Sequence, residues 1–226
     1  MTTVARPTIA VLGGAGKEGS GLALRMAHVG YPIVIGSRDA ARAEVAAEEI
    51  NAALGRDAAR GASNEAAAAE AQIVLLTVPY SAQRATVESV RASLTNKILI
   101  DVTVPLMPPR VSRVQLPEGG SAVQVIQTML GPEVRVVSAF QNISAHHLKQ
   151  LDHEIDCDVL VCADDREAGD FVVDLAREIG LGAWNVGALA NSVVSEALTS
   201  ALIALNQRYK VPGSGIRITG VPRGEA

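Results

Sequence analysis

Residues 8–30 read TIAVLGGAGKEGSGLALRMAHVG, and this stretch decides the fold. It begins with an apolar run typical of a buried strand, passes through a glycine-rich loop, and continues with apolar residues at helical spacing. The loop matches the pattern G-x-G-x-x-G at residues 14–19, which predicts a dinucleotide site when it follows a strand and opens a helix. In that setting Gly14 permits the tight turn, Gly16 lets the backbone approach a pyrophosphate, and Gly19 allows close helix–strand packing.

The lysine in this loop raises the alternative of a triphosphate-binding loop with the pattern G-x-x-x-x-G-K-[ST]. If Gly16 and Lys17 form the G-K pair, Val11 stands where the first glycine is required. Glu18 follows the lysine, carries no hydroxyl for a metal, and is expected to repel phosphate. The sequence therefore favours a pyrophosphate at the start of the first helix, where free N–H groups and the helix dipole attract an anion.

The end of the second predicted strand indicates which dinucleotide is bound. Sites specific for NAD place an acidic residue about twenty positions after the loop, where it holds the ribose hydroxyls. Here Gly36, Ser37 and Arg38 occupy that corner, and Asp39 lies beyond it. A hydroxyl and a guanidinium bind a 2′-phosphate well, and Arg42 shares the same face if the helix has begun. The expectation is NADP(H); the alternative is a pair of ordinary surface arginines.

The rest of the chain alternates strands with helices. Further apolar runs lie at residues 72–80, 97–105, 133–140, 157–163 and 182–187. Each is apolar along its whole length, which is typical of a mostly parallel sheet covered on both faces. The prediction is an α/β fold of the Rossmann type, doubly wound, with ligands at the carboxyl ends of the strands.

The chain is predicted to contain two parts. Residues 1–187 form the dinucleotide-binding domain, and residues 188–226 form a C-terminal helix and tail, a small substrate lobe that closes the cleft. The last helix is apolar on most faces, which favours burial in a homodimer interface. The proline- and glycine-containing segment at residues 107–132 interrupts the alternation and is expected to be a functional loop followed by a helix.

Composition restricts the class of protein. The 226 residues carry a net charge of −4, without the broad basic surface that nucleic-acid binding needs. We expect no nucleic-acid partner, no membrane partner and a cytoplasmic location, because the N-terminus lacks a signal peptide and no apolar run approaches a membrane span. Cys157 and Cys162 are expected to stay reduced.

No constellation for acid–base or metal chemistry stands out. Three histidines at positions 146, 147 and 153 lie near Asp156 and Cys157, but their spacing matches no standard zinc site and suits a polar connecting loop. We therefore predict no metal site and no catalytic side chain. A dinucleotide site is compatible with this absence, because the bound cofactor supplies the chemistry and the protein supplies orientation.

Four segments together resemble the NADPH-dependent reductases of coenzyme F420, an 8-hydroxy-5-deazaflavin. They are TIAVLGGAGKEGSGLALR, VIGSRDAAR, VLLTVPY and the tail SGIRITG, and the resemblance covers nearly the whole chain. It implies an NADP-dependent oxidoreductase that passes hydride directly between the nicotinamide C4 and the deazaflavin C5. Two positions depart from the family, since Ala15 replaces a threonine and Gln141 replaces a histidine of archaeal members.

The resemblance also implies which residues bind the two cofactors. The phosphate loop is Ala15, Gly16, Lys17 and Glu18, and the 2′-phosphate lies on Ser37, Arg38 and Arg42. The nicotinamide lies near Thr77, Val78, Pro79 and Val104, and the deazaflavin pocket is closed by residues 141–145 and 214–216, including Gln141, Ile143, Ala145 and Ser214. The alternatives are an NADPH-dependent reductase of another acceptor, such as a flavin, an imine or a metal ion, and an NADP(H)-sensing protein without turnover.

Overall fold

The computed structural model describes residues 6–222, which form one sheet with helices on both faces. The strands are β1 Ile9–Leu12, β2 Ile33–Ser37, β3 Ala59–Ser63, β4 Ile73–Leu76, β5 Ile98–Asp101, β6 Arg135–Ser138, β7 Asp158–Ala163 and β8 Gly182–Asn185. The helices are α1 Lys17–His28, α2 Ala40–Leu54, α3 Asn64–Glu70, α4 Tyr80–Val90, α5 Ala122–Leu130, α6 Ala145–Leu148, α7 Arg166–Glu178 and α8 Ser192–Tyr209. Short 3₁₀ turns follow α4 at Arg91–Ser93 and precede α8 at Leu189–Asn191.

The sheet has eight strands in the order β3-β2-β1-β4-β5-β6-β7-β8. Strands β1 to β6 are parallel, β7 runs antiparallel to β6, and β8 is parallel to β7. The first six strands therefore have the order 3-2-1-4-5-6 of a dinucleotide-binding sheet. This confirms the predicted Rossmann-type, mostly parallel, doubly wound fold.

One strand was not predicted, and it corrects the expectation that every strand is apolar throughout. Strand β3, with the sequence ARGAS, is an edge strand that pairs only with β2. An edge strand needs less apolar surface, so its pattern does not stand out. Its glycine fits under α2, because a Cβ on Gly61 would lie 2.2 Å from the main-chain nitrogen of Glu44.

Alternation along the strands divides the core into two layers. Ile9, Val11 and their counterparts on neighbouring strands pack against α1, α2 and α7. Ala10 and Leu12 face the other way and pack against α3, α4 and α5. Burial on both faces explains the continuous apolar runs of the central strands, because neither side meets water.

A buried arginine holds the polar segment after α6. The Arg25 side chain of α1 is 5% exposed and donates hydrogen bonds to the main-chain oxygens of residues 147, 148, 150, 153 and 179 at 2.7–3.4 Å. Burial lowers the pKa of Arg25, but these carbonyls replace the water that its charge has lost. The histidines of this segment stack on each other, with 4.1 Å between the ring centroids of His147 and His153.

Helix α8 is joined to the sheet domain by a buried carboxyl. Glu196 is 1% exposed and accepts hydrogen bonds from the Ser121 hydroxyl and from the first N–H groups of α5, at Ala122 and Val123. Burial raises the pKa of Glu196, and these donors oppose that rise. The carboxyl therefore caps α5 and fixes α8 against it.

The tail lies beside the start of β7. Asp158 donates its N–H to the Ile216 carbonyl at 2.8 Å and accepts the Ile218 N–H at 2.7 Å on its carboxylate. Gly215 approaches Cys157 so closely that a Cβ there would lie 2.5 Å from the cysteine sulfur. Residues 215–218 of the tail are therefore held against the start of β7.

Candidate active site

A cleft of about 940 Å³ opens at the carboxyl ends of the parallel strands, where the fold predicts a ligand. The turns after β1, β2, β4, β5 and β6 contribute to it, and α8 adds Thr199. Its lining residues are Gly13, Ala15, Gly16, Lys17, Glu18, Ser37, Arg38, Arg42, Asn64, Thr77, Val78, Pro79, Tyr80, Ser81, Ala82, Thr86, Val102, Thr103, Val104, Leu106, Met107, Pro108, Val111, Gln141, Ile143 and Thr199.

The glycine loop forms one wall of the cleft, and the roles of its glycines differ from those expected. The left-handed residue of the turn is Gly13, with φ of 76°, rather than Gly14. Gly14 is required for space instead, since a Cβ there would lie 2.7 Å from the Val11 carbonyl oxygen. Gly16 precedes α1, is exposed, and has little around the position of a Cβ, which leaves its main chain open to a ligand.

Gly19 sets the distance between α1 and the sheet. A Cβ at this position would lie 2.4 Å from Thr77 Oγ1 and 2.9 Å from Gly14 Cα. The Thr77 hydroxyl is fixed in turn, because it donates to the Leu12 carbonyl at 2.9 Å. Close packing here keeps the start of α1 directed into the cleft.

Two exposed arginines and a serine stand at the β2 end. Arg38 and Arg42 line the cleft together with Ser37, and neither arginine forms an ion pair with another residue between positions 6 and 222. Asp39 is the acid next to Arg38 in the sequence, and its carboxylate accepts the Ala41 N–H at 3.1 Å and caps α2. The corner therefore presents positive charge and a hydroxyl, which suits a phosphate.

Glu18 lies in the first turn of α1 and lines the cleft. Burial raises the pKa of its carboxyl from 4.5 to about 8. A raised pKa reduces the negative charge that Glu18 carries near neutral pH, and so weakens its expected repulsion of a phosphate. A neutral carboxyl beside the loop can donate a hydrogen bond.

The β5 and β6 end of the cleft is uncharged and tightly bonded. Gln141 is 3% exposed, and its amide nitrogen donates to the Asp101 carbonyl and to Ser138 Oγ, each at 2.8 Å. The Gln141 carbonyl of the main chain accepts the Thr199 hydroxyl at 2.7 Å. Three buried side-chain oxygens among the lining residues have no partner within the described chain: Gln141 Oε1, Asn64 Oδ1 and Thr103 Oγ1.

Asp101 lies behind this wall without lining the cleft. Its carboxyl is fully buried and accepts from Gln83 Nε2 at 2.6 Å and from the Thr103 N–H at 2.9 Å. Burial raises the pKa of Asp101, and these donors oppose the rise. Its hydrogen bonds shape the β5 turn, and it offers no acid to a ligand in the cleft.

The cleft brings together most of the residues proposed from the sequence. The exceptions are Gly14 and Gly19, which support the loop from behind, and Ala145 and Ser214, which lie outside the lining. The Ser214 N–H is held by Asn206 Oδ1 at 2.8 Å. Of the predicted lobe, α8 contributes Thr199 to the cleft, whereas no described residue of the tail reaches it.

Sequence reasoning named no site residue at the start of α4, where Tyr80, Ser81 and Ala82 line the cleft directly after Pro79. The lining continues at Leu106, Met107, Pro108 and Val111. The first residues of the 107–132 segment, expected to be a functional loop, therefore lie at the cleft, although none of them was named individually. Within residues 6–222, no three His, Cys, Asp or Glu side chains converge on a metal position.

The chain is similar in sequence and structure to F420-dependent NADP reductases. The family model described as NADP oxidoreductase coenzyme F420-dependent matches residues 8–105. F420-dependent NADP reductases from Methanothermobacter thermautotrophicus and Methanocaldococcus jannaschii are 42% and 41% identical, covering 96% and 94% of this chain and 97% and 98% of theirs. A solved structure from Arthrobacter sp. FB24, assigned as an F420-dependent NADP reductase, is 25% identical with a TM-score of 0.78, covering 94% of this chain and 99% of its own.

Proposed function

The chain belongs to the family of F420-dependent NADP reductases, and we propose that its cleft holds NADP(H) and coenzyme F420 together for direct hydride transfer. The activity is that of an NADP-dependent oxidoreductase. The observation that carries the proposal is one continuous cleft. One end has a glycine loop and two arginines that form no ion pair within residues 6–222, and the other end is an uncharged, hydrogen-bonded wall. A charged end suits a phosphorylated nucleotide, and an uncharged wall suits stacked rings.

The NADP(H) end has a residue for each anionic group. The pyrophosphate would lie on the loop from Ala15 to Glu18, where Gly16 leaves the main chain accessible and α1 directs its free N–H groups outward. The 2′-phosphate would lie between Arg38 and Arg42, with a hydrogen bond from Ser37. Gly14 and Gly19 would act through the shape of the loop.

The ring end would place the two reacting atoms beside apolar and amide groups. The nicotinamide would lie against Thr77, Val78 and Pro79, with Val104 opposite, and the deazaflavin beyond it against Gln141 and Ile143. Ala145 and Ser214 lie outside the lining of the cleft, so we propose that only the outer part of F420 would reach them.

Hydride transfer between the two cofactors requires little acid–base chemistry from the protein. Glu18, the lining carboxyl with a shifted pKa, lies at the phosphate loop rather than at the rings. The side chains at the rings would orient the two cofactors and exclude water, which is where most of the rate is gained. Among the described residues, no carboxyl and no imidazole lines the ring end, which favours the deazaflavin over an imine or a carbonyl as acceptor; Tyr80 is the lining hydroxyl that such a reduction would use as its proton donor.

The test mixes purified protein, NADPH and oxidised F420 and follows the deazaflavin absorbance. The proposal predicts catalytic bleaching with F420 and none with a free flavin in its place. Bleaching with the flavin alone would favour the alternative acceptor. Tight NADPH binding with no turnover of either acceptor would favour the sensing protein.

We propose a homodimer built on α8. Its exposed face is apolar, with Val194, Leu205 and Tyr209 at 56%, 43% and 64% exposure, while its buried face carries serines and Glu196. By length and composition alone Leu189–Tyr209 could also cross a membrane, but Glu196 bonds it to α5. A second copy is the occupant that covers such a face most simply. Leu205→Glu should halve the mass measured by light scattering, whereas a wild type that is monomeric would contradict the proposal.

Location and domain roles are two further properties of the protein. We propose a cytoplasmic location without membrane or nucleic-acid partners, in keeping with the net charge of −4. We also propose a division of labour between residues 1–187, which bind the dinucleotide, and residues 188–226, whose helix contributes to the F420 side. Fractionation of the native cells tests the first. A chain that ends at residue 187 and still binds NADPH, but not F420, would support the second.

A further inference from the structure

The Gln141 side chain has one hydrogen-bonding atom left over. Both hydrogens of its amide nitrogen are used, one by the Asp101 carbonyl and one by Ser138 Oγ. Its oxygen, Oε1, is buried and has no partner within the described chain. A buried acceptor without a donor is costly, and in a cleft residue it indicates a ligand group that completes the bond.

The orientation of the amide is set by its neighbours. Rotating the amide by half a turn would place Oε1 against the Asp101 carbonyl, and two acceptors cannot bond to each other. The main chain of Gln141 is also held, because Thr199 donates to its carbonyl from α8. The protein therefore fixes Oε1 as an acceptor in the wall of the cleft, and because water barely reaches this atom, a ligand N–H would meet it after a small shift of the lining.

We propose that Gln141 Oε1 accepts an N–H from the edge of one of the two hydride-carrying rings, with Ser138 as the residue that positions it. The chemistry is a conjugated amide or imide N–H, which the nicotinamide carboxamide and the pyrimidine edge of the deazaflavin both carry. This inference rests on the proposed function, because it presumes that these rings share the cleft. Such a bond would also make the site selective among ring systems, because a ring edge that carries only acceptors would leave Oε1 without a donor.

The first arm of the test asks whether the nicotinamide supplies the hydrogen. The probes are NADP⁺ and its 3-acetylpyridine analogue, which keeps the carbonyl but has a methyl group in place of the amide nitrogen. If the carboxamide is the donor, the wild type binds NADP⁺ about tenfold more tightly than the analogue. Gln141→Met then binds both equally, while Gln207→Met, a surface control on α8, keeps the preference.

The second arm asks whether the deazaflavin supplies it. In that case Gln141→Met leaves the Kd of NADP⁺ and of the analogue unchanged and raises the KM for F420 about tenfold, with a smaller change in kcat. Either arm supports the proposal. A folded Gln141→Met variant with unchanged nucleotide preference and unchanged KM for F420 would overturn it.

Ser138→Ala provides a second test of the proposal if Gln141→Met does not fold. Ser138 is fully buried and does not line the cleft, so it acts only by holding the amide. The same parameter should shift in the same direction by two- to fivefold, and no shift would refute the positioning role. A wild type that binds NADPH yet never reduces F420 would count against the proposed function, whereas the nucleotide arm could still be scored.

Discussion

Replacing Gly19 by alanine tests how the glycine loop is built. The new Cβ would lie 2.4 Å from Thr77 Oγ1, 2.9 Å from Gly14 Cα and 3.2 Å from the Gly13 oxygen. Two of these neighbours are main chain of the loop itself, so α1 must move away from the sheet. Such overpacking costs about 1–3 kcal/mol, and alanine in a helix returns about 0.5–1 kcal/mol. The net loss in the free energy of unfolding should be about 1–2 kcal/mol.

The same displacement should weaken NADPH binding, because the loop would no longer present its N–H groups in line. We expect at least a tenfold rise in Kd, or about 1.4 kcal/mol. Urea unfolding gives the stability, and titration of NADPH fluorescence gives the Kd. Gly16→Ala is the matched control: its Cβ would meet only the Gly13 oxygen, at 3.3 Å, so it should weaken binding with a loss of stability below about 1 kcal/mol.

A second substitution separates contact from general disruption. Thr77→Ala removes the nearest atom in the way, so adding it to Gly19→Ala should cost less than the sum of the two single changes. Thr77→Ala alone should cost about 1 kcal/mol through its lost bond to the Leu12 carbonyl. If Gly19→Ala unfolds at the wild-type urea concentration and binds NADPH with the wild-type Kd, the packing argument is wrong.

Three further predictions concern charge. Arg38→Ala should weaken NADPH binding by about 1.5–3 kcal/mol and barely affect NADH in the same fluorescence titration; equal losses would show that Arg38 does not bind the 2′-phosphate. Arg25→Met should lower the free energy of unfolding by about 2–4 kcal/mol and speed hydrogen exchange across residues 147–153, and unchanged exchange would refute its role as an anchor. The pKa of Glu18 in the folded protein, about 8, exceeds its ordinary value of 4.5. The wild type should therefore lose free energy of unfolding relative to Glu18→Gln as the pH rises from 4.5 to 8, by up to about 1 kcal/mol per pH unit. Above pH 8 the difference should stay constant. A pH-independent difference in urea unfolding would contradict that shift.

The fold was predictable because local patterns and the sheet agree. The run from β1 through the glycine loop into α1 has few other solutions, and the central strands are apolar because both faces are covered. Strand β3 escaped notice since an edge strand with the sequence ARGAS carries no period and owes its place to β2 and to the space under α2.

The site was predictable where the type of residue by itself indicates which ligand group it binds. Arg38 and Ser37 indicate a phosphate from their position alone. The role of Asp39 was not predictable, because a capping carboxylate and a ribose-binding one look the same in sequence. Nor could sequence show that the Gln141 oxygen has no partner within residues 6–222, since that depends on Asp101 at the end of β5 and Ser138 at the end of β6 meeting its amide nitrogen.

Isotopic labelling tests most directly whether hydride passes from NADPH to F420 within the cleft. NADPH carrying deuterium at both C4 positions is mixed with oxidised F420 and the enzyme for a single turnover in ordinary water, and the reduced deazaflavin is analysed by mass spectrometry and NMR. Direct transfer predicts one deuterium at C5 of the deazaflavin, and none at C5 when unlabelled NADPH is used in D₂O. Hydrogen from solvent at C5 would contradict it, because the two rings would then not exchange hydride within one cleft.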